Sequence, residues 1–145
     1  MSTSRVPPWG IGGKLLATLC LAVVGLIVPF LEISDTHLFN PAWHPHTRLH
    51  EAWQLATNTA LSLFAICLVW GNRGVLACFI GMLVNGGFLL AWMTKGIYGG
   101  SMAGTSAAGA MVAGMDAAVL IVGLSFLVLT LLCMIGACRR HDVPL

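Results

Sequence analysis

Four of the five histidines in this sequence, His37, His44, His46 and His50, fall within one fourteen-residue stretch, flanked by Glu32, Asp35 and Glu51. Neutral imidazole is the commonest protein metal ligand and the side chain whose titration lies nearest neutrality, so such a cluster suits a divalent metal or proton transfer. His46 and His50 are four residues apart and would share one face of a helix, the spacing that lets two imidazoles bind one ion. Pro45 fits the first turn of that helix. Asn40 before Pro41 marks a turn that would fold His37 back towards the pair. An ionisable residue in or beside a membrane span is a functional candidate by default, and Asp116 lies near the start of the last apolar run. The expected catalytic residues are His46, His50, Glu51 and Asp116. The expected metal ligands are His37, His46, His50 and Asp116, holding zinc, iron or copper with one position open to substrate or oxygen.

A polar pocket beneath this cluster would be built from Trp43, Trp53, Gln54, Asn58 and Asn85. Gln54 and Asn58 follow His50 at intervals of four and lie on the same general helix face. Asn85 sits in the middle of an apolar run, where an amide commonly joins helices.

The elements that must position these residues follow from composition. The chain has 145 residues, 58% hydrophobic and 8% charged, where a soluble domain carries about 25% charged residues. Its mean hydropathy is +0.91. A membrane span needs about 20 apolar residues, and four runs qualify, at about 11–31, 52–70, 75–94 and 114–137, with the histidine loop at 34–51. The expected fold is therefore all-α, a single integral membrane four-helix bundle. No soluble catalytic domain fits in the remaining length, and the scattered basic residues give no nucleic-acid footprint. The first run is long and lacks a small-residue cleavage site, so it is expected to be a retained span rather than a signal peptide. The five cysteines, with no C-x-x-C pair, are expected to be core hydrophobes.

Basic residues divide five to two: Arg5, Lys14, Arg73, Arg139 and Arg140 against Arg48 and Lys95. That asymmetry predicts both termini in the cytoplasm, with the histidine loop outside, as in a bacterial inner membrane. Trp9, Trp43, Trp53, Trp70 and Trp92 all fall near span ends, as an aromatic belt would place them. Ser106, Ala110, Gly114 and Ala118 recur every four residues, a small-residue face for packing or for docking a second copy or a complex partner. A single helix from Ser106 to Ala137 would be roughly 48 Å long at 1.5 Å per residue, more than a bilayer needs, so this region must break, protrude or lie in the interface.

The stretch Thr36-His37, Asn40-Pro41, Trp43 and Pro45-His46, followed by His50, resembles the signature of a family of small bacterial four-span membrane proteins of unknown function. His44 stands where that family has proline and Glu51 where it has asparagine, which makes His37, His46 and His50 the shared residues. The resemblance implies the four-span fold and no reaction. A weaker similarity is to membrane sterol isomerases, which place His and Glu in a helical bundle to move a proton on an apolar substrate. Three functions are compatible with the sequence. The first is a membrane enzyme acting on a small lipid-soluble molecule, by a metal or by acid/base chemistry. The second is a non-catalytic subunit of a membrane complex, and the third a small transporter or metal-handling protein.

Overall fold

The computed structural model describes residues 9–102, 111–112 and 114–141. Pro29 sets the shape of the first helix, α1, Ile11–Glu32. Proline has no N–H to give to the carbonyl four residues back, and its ring crowds that carbonyl. The turn just before it, Val23–Ile27, widens to a π-helix in which the Val28 N–H reaches the Val23 carbonyl, five residues back. Such π-turns are the usual way a helix absorbs a local break in its ladder.

Helix α2, Pro45–Trp70, begins at Pro45, the helix start expected there, seven residues before the expected start of the apolar span at residue 52. Pro45 supplies a preset φ at the first helical position, and the His44 Nδ1 accepts the His46 N–H at 3.2 Å as a side-chain cap. The end of the expected histidine loop, from Pro45 to Glu51, is therefore helical. The helix stops at Gly71, and Asn72, at φ 58°, turns the chain into α3, Gly74–Thr94. A short 3-10 turn, Lys95–Ile97, follows α3.

Helix α4, Ala117–His141, starts three residues later than expected. Before it, β1 (Met111–Val112) pairs antiparallel with β2 (Met115–Asp116), Met111 opposite Asp116 and Val112 opposite Met115. Gly114 has φ +80°, outside helical space, so it does not share a helix face with Ala118. The other two members of the expected small-residue face, Ser106 and Ala110, lie outside the described residues. Asp116 precedes the helix, its Oδ1 accepting the Ala118 N–H at 2.8 Å, the bond an N-cap makes to satisfy an orphan donor.

All four helices are long and apolar enough to cross a membrane, and by composition this is an integral membrane protein. They form an antiparallel bundle in which each helix packs on the next and α1 closes the ring against α4. Two glycines set the close approaches. A Cβ on Gly81 would lie 2.6 Å from Leu21 Cδ2 and 2.8 Å from Leu129 Cδ1, two of the fully buried side chains. A Cβ on Gly25, in the π-turn, would collide with the Ser62 Cβ.

At the end of the bundle away from the histidines, Trp9 is in the core, only 4% exposed, and not in an interfacial belt. Its indole N–H donates to the Leu132 carbonyl at 3.0 Å, which removes the penalty of burying that donor. Lys14 spans the same end, donating to Asn72 Oδ1 at 2.7 Å with its ammonium 5.7 Å from the centre of the Trp70 ring.

Because Ser62 Cβ cannot swing away as a side-chain tip can, Gly25→Ala should cost about 1–3 kcal/mol through overpacking. Gly87, with nothing within 4 Å of an added Cβ, is the matched control. Gly87→Ala should leave stability unchanged or raise it by up to about 1 kcal/mol through helix propensity. Thermal unfolding of the two variants in one detergent checks both expectations.

Candidate functional site

Between α1 and α2 the chain crosses one end of the bundle in twelve residues, and its polar groups are tied back on themselves. The Ile33 N–H caps the helix on the Pro29 carbonyl at 3.0 Å, and the Glu32 carbonyl then accepts the Ser34 N–H at 2.9 Å and the Leu38 N–H at 3.1 Å. Asn40 makes the predicted turn: its Oδ1 accepts the Ala42 N–H at 2.9 Å while its Nδ2 donates to the Thr36 carbonyl at 3.2 Å. The chain does fold His37 back, but onto the end of α1.

His37 Nε2 lies 3.2 Å from Glu32 Oε2, both side chains being largely shielded from solvent. Its other nitrogen, Nδ1, is 2.9 Å from the Thr36 hydroxyl and 3.4 Å from that of Ser34. The Trp43 ring stands edge-on to the imidazole, 6.0 Å between centres. This places the imidazole between a carboxylate on one nitrogen and a hydroxyl on the other, the arrangement that fixes a tautomer and a ring orientation. Glu51, half-buried near the start of α2, is within electrostatic range of both His37 and Glu32. Two carboxylates and an imidazole thus gather where α1 ends and α2 begins.

His46 and His50 form a second, separate group. Their Nε2 atoms are 3.0 Å apart and their rings nearly perpendicular, with Trp53 beside His50 at 5.9 Å between ring centres. Both are exposed, and they occupy a different face of α2 from Ala52 and Ala56. Among the described residues, no group of three or more His, Cys, Asp or Glu side chains is placed to hold a metal ion. Of the four expected ligands, only His46 and His50 are in contact. His37 is engaged by Glu32, and Asp116 caps α4.

An open apolar groove of about 370 Å³ runs down α2 from this end, between it and the end of α1. Its walls are Pro29, Ile33, Leu38, Ala52, Leu55, Ala56, Thr59, Ala60 and Leu63. Three of these, Ile33, Leu38 and Ala52, directly follow Glu32, His37 and Glu51 in the chain, so the backbone of the polar trio adjoins the groove walls, while the three polar side chains are not themselves among those walls. Trp43, Trp53, Gln54, Asn58 and Asn85 are not among the walls. Asn85 is in the bundle core, 1% exposed, its Nδ2 donating to the Gly81 carbonyl of its own helix at 2.8 Å.

Glu32 is the residue that sequence reasoning passed over as a site member. Its partnership with His37 depends on the tight turn after α1, and the Pro29 to Asn40 spacing carries only a weak signal of that turn.

With this geometry in place, comparison with known proteins adds no relative: no family model, no curated protein and no solved structure matches the chain.

Proposed function

We propose that this protein is a membrane-embedded acid/base enzyme that shifts a proton on a small lipid-soluble molecule held in the groove between α1 and α2. The observation that supports this reading is the gathering of Glu32, His37 and Glu51 where α1 ends and α2 begins, with the next residue after each of them lining an apolar groove of about 370 Å³. Ligand pockets commonly measure about 300–1,000 Å³ and combine apolar walls with a few convergent polar groups.

In this reading His37 is the proton-transfer group, since imidazole is the side chain most often used for general acid/base work. Glu32, across 3.2 Å, orients the imidazole and balances the charge it gains, as a carboxylate does for histidine in other acid/base sites. The Thr36 hydroxyl on Nδ1 is a neutral partner and so makes the weaker of the two contacts. Substrate enters on that side without disturbing the Glu32 contact. Glu51 is the second carboxylate: in this reading it takes a proton from one carbon of the substrate while protonated His37 gives one to another, and the proton on Glu51 then returns to His37 through water, which restores both groups. The sum is an isomerisation, with no net oxidation and no proton consumed.

In this reading the protein sits in a bacterial inner membrane with both termini in the cytoplasm, an orientation that the five-to-two basic asymmetry favours. Lys14 and Arg73, at the end opposite the histidines, then face the cytoplasm, and the groove opens near the outer surface.

An isomerase of this kind exchanges substrate hydrogen with solvent. Membranes containing the wild-type protein, incubated in D2O, should incorporate deuterium into a lipid-soluble species. His37→Gln and Glu32→Gln should slow that incorporation by about 10²–10⁴-fold, the usual contribution of a general acid or base, while His44→Ala keeps it. Incorporation equal in wild type and His37→Gln would rule the reading out. For orientation, a cysteine-free background carrying His44→Cys should react with an impermeant maleimide on intact cells, whereas Arg73→Cys should react only after lysis. The opposite pattern would invert the topology.

A further inference from the structure

The His46–His50 pair takes no part in the groove chemistry and lies on another face of α2. The surrounding side chains leave these two imidazoles available. His44 Nδ1 is committed to the His46 N–H at 3.2 Å, and His37 is committed to Glu32 and Thr36. Both rings of the pair are exposed, on a helix whose start is fixed by Pro45 and the His44 cap. The backbone beneath them is therefore already ordered, and a ligand that joins them pays little to organise the site.

Their nitrogens face each other, Nε2 to Nε2, at 3.0 Å. Two neutral imidazoles meet this way only when one gives its N–H to the lone pair of the other. A metal ion that replaces the shared proton draws on both lone pairs at once. Metal to imidazole-nitrogen distances are about 2.0–2.1 Å. At that distance, and with the rings turned so that both lone pairs point at the ion, two nitrogens 3.0 Å apart subtend an angle of about 91–97°, by simple trigonometry, at an ion lying off the line between them. That is the cis angle of a square-planar or tetragonal centre, the geometry that nitrogen ligands give Cu²⁺ and Ni²⁺. Of these ions Cu²⁺ stands highest in the affinity order for nitrogen sites.

We propose that His46 and His50 form a two-imidazole site for Cu²⁺ on the exposed face of α2, distinct from the groove. The two nitrogens take cis positions on the ion, and its other positions are left to water. Trp53, 5.9 Å from His50 between ring centres, borders the site on the following turn.

The test is a Cu²⁺ titration of the full-length protein, free of any affinity tag and solubilised in detergent, followed by electron paramagnetic resonance. The exposed thiols Cys67 and Cys138 are replaced by serine so that neither binds nor reduces the metal. One equivalent should bind with a tetragonal signal coupled to two imidazole nitrogens, a result that needs no histidine variant. His46→Ala and His50→Ala should each weaken binding at least tenfold, while His37→Ala and His44→Ala leave it unchanged. Zn²⁺ should compete poorly. Coupling to one imidazole or none would overturn the proposal. So would an affinity that survives His46→Ala and His50→Ala, or one that falls equally in His37→Ala or His44→Ala.

Discussion

An interior as apolar as this one has no water to satisfy polar groups, so every backbone donor and acceptor in the spans must find its partner within the chain. Long helices meet that demand along their lengths, and the departures from simple helix are where it is hardest to meet. Pro29 withholds a donor near the end of the first span, and the chain answers with a π-turn from Val23 to Ile27 rather than a broken helix. Helix ends are the other weak point. Asp116 gives its carboxylate to the Ala118 N–H and the His44 ring gives a nitrogen to the His46 N–H, while the Trp9 indole finds the Leu132 carbonyl. Each is a polar side chain spent on the fold, not on chemistry.

The same constraint explains where polar side chains gather. The link between α1 and α2 must turn the chain through half a circle in a short length, and it does so by bonding to itself through Glu32, Ser34, Thr36, His37 and Asn40. This compact turn presses His37 against Glu32 and brings Glu51, from the next helix, within their electrostatic reach. The apolar groove opens at the same end of the bundle, where Ala52, Ala56 and Ala60 are too small to fill the space between α2 and the end of α1. Acid/base groups and an apolar binding space are thus products of one folding problem, and their adjacency is the basis of the functional reading.

Much of this architecture can be read in the amino-acid order. Four spans follow from hydropathy, and the tight turn at Gly71–Asn72 from its residue types. The His46–His50 contact follows from a spacing of four after a proline, because both residues belong to one helix and local geometry decides their meeting. Contacts that depend on tertiary folding are less visible. Glu32 gives no sign in the sequence that it will meet His37, since that contact is made by a turn whose bonds run among five residues. Asp116 looks like a site carboxylate by its depth, yet a helix start needs a cap and Asp116 is placed to supply it. Trp9 has the position of a belt residue, and only the packing of α1 on α4 turns it inward. The groove has no motif at all, being the space left by three alanines on one helix face.

The central claim is that an apolar molecule lies in the groove with its reactive end at His37. An experimental structure of the protein, purified with its native lipids and reconstituted in a bilayer, tests this most directly. The account predicts density for a small molecule between Pro29 and Leu63, with a polar or unsaturated end in contact with His37 and the Glu32–His37 contact intact. A groove closed by its own side chains, or Glu32 and His37 held apart in the bilayer, would contradict it.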